Sequence, residues 1–95
     1  MKVKVQFFAA ARELVGIREE TVEMPDRSTV KALLDSLIES HGERLRNYLY
    51  DPKTMEVRRS IQLLIGDKQV SEASEMSTPL SDGCVFAIIP PVGGG

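Results

Sequence analysis

The chain has one cysteine, one histidine and no tryptophan, and its aromatics are two tyrosines and three phenylalanines. Each shortage removes a class of function. A single thiol, Cys84, cannot close an internal disulfide, and its solitude fits a reducing, cytoplasmic setting. One histidine and one cysteine cannot assemble a zinc site of the common four-ligand kind, so no metal is expected. Neither charge sign dominates: 12 basic against 14 acidic residues leave a net charge of −2. No basic cluster is longer than Arg58-Arg59, which leaves no electrostatic footprint for nucleic acid. Apolar runs stay far short of the ~20 residues a membrane-spanning helix needs. No glycine-rich loop opens a helix, so a phosphate cradle is missing as well. The residues of a self-sufficient enzyme are not here.

What is present is patterning. At 42% hydrophobic and 27% charged, the chain has the make-up of one globular domain with one core. The opening "MKVKVQFFAA" alternates Val3, Val5 and Phe7 with Lys2, Lys4 and Gln6, which reads as a half-buried strand and not a signal peptide. "AAARELVG" is a turn or short helical link ending at Gly16, and "REETVEMP" returns as a second strand, antiparallel to the first as in a hairpin. Val30, Leu33, Leu34, Leu37 and Ile38 form one apolar stripe at helical spacing. Ser28 is placed to cap that helix at its start and Gly42 to end it. His41, in the last turn, reads as a solvated residue favourable to the helix dipole. Leu45, Tyr48 and Leu49 mark a second, shorter helix broken before Pro52. "SIQLLIGDKQVS" is a strand, a Gly66-Asp67 turn and a short return strand, and "SEASEMSTPLSDG" is loop. "CVFAIIPP" is apolar almost throughout, as in a strand inside a sheet, where Cys84 would be an inert structural thiol. The sum is one α+β domain over residues 1–89 with a flexible tail over 90–95.

That tail, Pro90 to Gly95, carries the chemistry. Pro90 and Pro91 fix φ and bias their predecessors toward extended backbone, so the chain leaves the last strand straight. Six extended residues span roughly 20 Å, enough to reach into another protein. Glycines 93–95 lack side chains and pass a narrow channel. The carboxylate of Gly95 is an anion at neutral pH and a poor electrophile until activated, most simply as a mixed anhydride with AMP. Since the chain lacks a nucleotide site, a partner must supply it.

"FFAAARELVG" (7–16) together with "LSDGCVFAIIPPVGGG" (80–95) resembles the small subunit of molybdopterin synthase, the MoaD group of the ubiquitin-like β-grasp superfamily. Leu80, Asp82, Gly83, Ala87, Pro90, Pro91, Val92, Gly94 and Gly95 match the group's closing pattern. Phe86 stands where valine is common, and the stretch over 41–60 is longer than the smallest members need. The resemblance implies a β-grasp, a mixed sheet wrapped around the Val30–Ile38 helix with parallel first and last strands at its centre. It implies a sulfur carrier that is not catalytic alone. A ubiquitin-activating-enzyme-like partner would adenylate Gly95 with ATP, and a sulfur donor would convert the adenylate to a thiocarboxylate. The large synthase subunit, in a heterotetramer, would then use that sulfur on a cyclic pyranopterin monophosphate in molybdenum or tungsten cofactor synthesis. No cofactor is bound by the carrier itself. Gly95 would be the reacting residue and Gly94 its steric gatekeeper. A protein modifier joined to lysine, or a sulfur carrier for tRNA thiolation or thiamin, would share the tail, but "PPV" favours the molybdopterin group.

The same reading implies a partner face. With Phe86 and Ile88 inward by the group's pattern, alternation sends Val85, Ala87 and Ile89 outward, and Phe8 points out at the end of the first strand. With Pro90, Pro91, Val92 and Gly93, they make the expected contact set. The other arrangement has the helix around Leu45–Leu49 covering this face and making it core.

Overall fold

The alternation of the first strand and the unbroken apolar run of the last decide how the sheet is built. In the computed structural model, which describes residues 1–90, β1 (Lys2–Phe7) buries Val3, Val5 and Phe7 completely. β2 (Glu19–Glu23) pairs antiparallel to it, with Lys2 opposite Glu23 and Gln6 opposite Glu19. The link between them is a short helix, α1 (Ala9–Val15), closed by Gly16. β3 (Gln62–Ile65), a Gly66-Asp67 turn and β4 (Lys68–Gln69) make a second antiparallel pair. β5 (Val85–Ile89) runs between the pairs, parallel to β1 and antiparallel to β3. The five strands lie in the order β2-β1-β5-β3-β4, so the first and last strands are central and parallel. This is the β-grasp arrangement. No helix among the described residues is long and apolar enough to cross a membrane.

Asp82 and Gly83 explain how β5 finds β1 across some eighty residues of chain. The Asp82 carboxylate accepts the Lys2 amide at 2.8 Å, and the Gly83 amide donates to the Lys2 carbonyl at 2.7 Å. Gly83 needs φ of 80°, a left-handed conformation that glycine adopts without steric cost. The "DG" pair is therefore a register pin.

α2 (Val30–His41) lays its stripe on the inner sheet face, with Val30, Leu33, Leu34 and Leu37 at most 1% exposed and Ile38 at 7%. Its cap is Thr29 and not Ser28. Thr29 Oγ1 accepts the Ala32 amide at 3.3 Å, whereas the Ser28 hydroxyl turns back and donates to the Pro25 carbonyl at 2.6 Å. The first two helix amides are taken by the loop: Val30 donates to Thr78 O and Lys31 to Met76 O. Residues 76–80 are thus pinned across the helix start, with a 3₁₀ turn at Ala73–Glu75 inside what the sequence presents as loop. Gly42, φ 95°, ends α2 by donating to Ile38 O and leads directly into α3 (Glu43–Leu49). His41 departs from the solvated reading. Its Nε2 lies 2.8 Å from Glu20 Oε1 on β2, its ring meets Phe7 edge-on at 5.8 Å, and its side chain is only 16% exposed. It ties the end of α2 to the sheet.

Leu45 and Leu49 of α3 are fully buried in the same cluster as Phe7, Leu63, Phe86 and Ile88. Beyond α3, Tyr50 and Val57 form an antiparallel bridge closing a loop whose Met55 is 71% exposed. The Tyr50 hydroxyl is buried without a hydrogen-bond partner among the described residues, and burial pushes its pKa up. A buried polar group left unpaired costs stability that an apolar replacement recovers. Tyr50→Phe is accordingly expected to raise unfolding stability by about 1 kcal/mol, read as a higher urea midpoint at unchanged slope. A lower midpoint would mean that the hydroxyl is bonded in solution.

Candidate functional site

Because β1 and β5 alternate in phase, their outward residues gather on the sheet face that α2 leaves bare. The parallel register sets Lys4 beside Val85 and Gln6 beside Ala87, and the antiparallel one sets Leu64 beside Ala87 and Gln62 beside Ile89. The apolar members of this face are Val85, Ala87, Ile89 and Leu64. None belongs to the core cluster or packs on it, although their strand neighbours Phe86, Ile88 and Leu63 belong to it and Ile65 packs against it. α3 adds its leucines to the core side, so the arrangement in which it covers this face does not occur.

Phe8 stands at the end of the strip. It is half-buried and extended, and its amide donates to the Ile88 carbonyl at 3.3 Å, which places it beside the last residues of β5. Val85, Ile89 and Pro90 are likewise half-buried. Ala87 differs from its reading as an exposed contact: it lies on the outer face but is only 8% exposed, since its methyl group is overshadowed by the longer Gln6 and Leu64 on either side. It forms the floor of the strip. Two neighbours escaped the sequence reading. Leu64 is the outward residue of β3, invisible within "QLLI" because that stretch has no polar alternation to mark a face. Ile17 is 39% exposed next to Arg18, whose carbonyl takes the Phe7 amide at 2.8 Å. It extends the apolar edge toward β2, and an isoleucine directly after a helix-ending glycine was the available signal. Pro91, Val92, Gly93, Gly94 and Gly95 lie outside the described residues.

The face carries polar groups at its margin. Lys2 and Lys4 project from β1, Glu19 and Glu23 from the exposed edge strand β2, and Gln62 from β3. Among the described residues no three His, Cys, Asp or Glu side chains gather in a way that could hold a metal ion. Cys84 precedes β5, half-buried against the core, while its carbonyl accepts the Lys4 amide at 2.9 Å. The arrangement offers no nucleophile with a base beside it. What it can do is dock: a contiguous apolar strip, rimmed by charge, that runs to Pro90. Apolar residues gathered this way mark an interaction surface, whereas scattered ones mean little.

Known proteins share this chain's family and fold. A molybdopterin synthase sulfur carrier subunit of Arabidopsis thaliana is 33% identical over 95 residues, covering all of this chain and 84% of its own. Small archaeal modifier protein 3 of Haloferax volcanii is also 33% identical over 95 residues, with both chains covered in full. The crystal structure of SAMP1 from Haloferax volcanii superposes with a TM-score of 0.82 at 23% identity, each chain covered entirely, a likeness of fold. The sequence profile of the ThiS family matches residues 5–95, everything from the middle of β1 onward, and the chain belongs to that family.

Proposed function

We propose that this protein is the sulfur-carrier subunit of a molybdopterin synthase, working in the cytoplasm. The observation that carries the reading is the bare apolar strip of Val85, Ala87, Leu64 and Ile89, which ends at Phe8 and Pro90 where the glycine tail begins. A docking face and a reactive terminus joined by two prolines suit a carrier that presents its end to another protein's active site. An activating partner supplies ATP; the Gly95 carboxylate attacks the α-phosphate and pyrophosphate leaves. A sulfur donor then displaces AMP from the acyl adenylate and leaves a thiocarboxylate. The large subunit, in a heterotetramer, receives that sulfur for a cyclic pyranopterin monophosphate. Gly94 acts as the gatekeeper of the partner's channel. Pro91, Val92 and Gly93 belong to the contact set with the strip, and acid–base groups come from the partners.

Intact-mass measurement on protein from its native cell tests this, the expected result being a species with sulfur in place of one oxygen at Gly95. Ile89→Lys tests the docking face. Ile89 lies outside the core cluster, so the variant is expected to keep its melting temperature within a few degrees. A buried lysine in an interface lacks a partner charge, and binding to the large subunit and to the activating enzyme should weaken by tenfold or more. An unfolded Ile89→Lys protein, or one that binds both partners normally, would remove the face from this role.

A second reading, a protein modifier passed to lysine, is favoured by the full-length likeness to an archaeal modifier. It predicts lysine peptides bearing a Gly-Gly remnant from this chain.

A further inference from the structure

Phe8 and Arg12 form one unit at the tail end of the sheet. Phe8 finishes the line of β1 in extended backbone, and Ala9 then takes φ of 50°, the left-handed region a residue with a Cβ seldom enters. That reversal starts α1 immediately, so the amides of Ala11 and Arg12 both turn back to the Phe8 carbonyl. One turn on, the Arg12 guanidinium lies over the Phe8 ring, 5.7 Å from its centroid, and its Nε–H donates to the Phe7 carbonyl at 3.2 Å. Ring and guanidinium hold each other in place. Both Nη groups of Arg12 remain without an acceptor among the described residues. The bland account of Arg12 is a last-turn cation stabilising the dipole of α1. It explains neither the placement over the ring nor the left-handed alanine at the turn that produces it.

We infer that Phe8 and Arg12 are a composite docking anchor. Resting on the proposed reading of the face, the inference names the partner's chemistry: an apolar pocket that takes the Phe8 ring, with an Asp or Glu carboxylate at its rim that accepts the two Arg12 Nη groups. A planar guanidinium placed over an aromatic ring, with one edge fixed by backbone, presents its other edge as a ready fork for a carboxylate. Aromatic and arginine side chains held rigid before contact are what concentrates affinity at interfaces. Lysine carries the same charge but lacks the fork and the plane.

The test uses the full chain, titrated by calorimetry into the molybdopterin synthase large subunit from the same genome, at low and physiological salt. Arg12→Lys keeps the charge and the dipole contribution; it should melt like the wild type yet bind at least tenfold more weakly. Arg12→Gln should bind more weakly still and lose part of the salt dependence. In the protein alone, Arg12→Gln should move the Phe8 ring resonances while leaving those of the buried Leu33 and Leu34 methyls unchanged. Wild-type affinity in Arg12→Lys, with binding lost in Ile89→Lys, overturns the anchor and leaves the docking face standing. Normal binding in both variants overturns the face and the anchor together. If Arg12→Gln fails to fold, Arg12→Lys decides alone.

Discussion

Removing Gly95, or amidating its carboxylate, is expected to abolish thiocarboxylate formation and cofactor synthesis while the domain folds and melts as before. The reasoning begins with what the reaction consumes. In the proposed reaction the terminal carboxylate is the group adenylated and then thiolated; a chain one residue shorter still ends in a carboxylate, but one set back by about 3.5 Å from where an activating partner's nucleotide site would take it. Catalytic groups tolerate little such displacement, and a misplacement of 1 Å can cost about a hundredfold. The named core residues run from Val3 to Ile88, so the deletion removes none of them. Gly94→Val should act in the same way, because in the proposed reading the branched side chain would meet a partner channel that admits backbone only. The measurement is intact mass after incubation with the activating enzyme, ATP and a sulfur source. A chain lacking Gly95 that still supported cofactor synthesis would end the sulfur-carrier reading.

Leu37→Ala should destabilise the protein heavily and do nothing else. Leu37 is 1% exposed in the middle of the α2 stripe, packed in the cluster that joins the three helices to the inner sheet face. Truncation there loses transfer free energy and leaves a cavity, a cost of about 2–5 kcal/mol. For a domain of this size that corresponds to a fall in Tm on the order of 10–30 °C. Total stability for such a domain is commonly about 5–15 kcal/mol, so a folded fraction survives at low temperature. Sulfur-carrier activity should follow that folded fraction when it is measured across a temperature series. Complete loss of activity in a sample that circular dichroism shows to be folded would place α2 in the functional site.

Where local spacing carried the information, the elements were legible. Val3, Val5 and Phe7 announce a half-buried strand because the side-chain period of a strand is two residues. Val30 to Ile38 announce a buried helix face because theirs is 3.6. The turn at Gly66-Asp67 and the cap at Gly42 follow from conformations that only a few residue types adopt readily. The errors sit where a residue had two competing uses within reach. Ser28 and Thr29 were both able to cap α2, and the choice fell to Thr29 once the Ser28 hydroxyl found the Pro25 carbonyl. His41 looked solvated because Glu20 and Phe7, which hold it, come from strands far along the chain.

The sequence alone determined the run of strands and helices, the buried stripe of α2, and a Pro-Pro-Val-Gly-Gly-Gly stretch after the last strand. These are local facts, set by periodicity and by the chemistry of single residues. Which side of β5 is bare was expected from the family resemblance alone, and the tertiary structure supplies the physical reason. Val85 to Ile89 are apolar at every position, so alternation within the strand says nothing about its faces. The answer came from register: Asp82 and Gly83 lock β5 against Lys2, and β1 then imposes its own phase, turning Phe86 and Ile88 inward beside Val5 and Phe7. Leu64 joined the outer strip for the same reason, through its pairing with Ala87. A strand pairing closes over a long loop, and its hydrogen bonds connect residues whose neighbours in sequence carry no trace of one another.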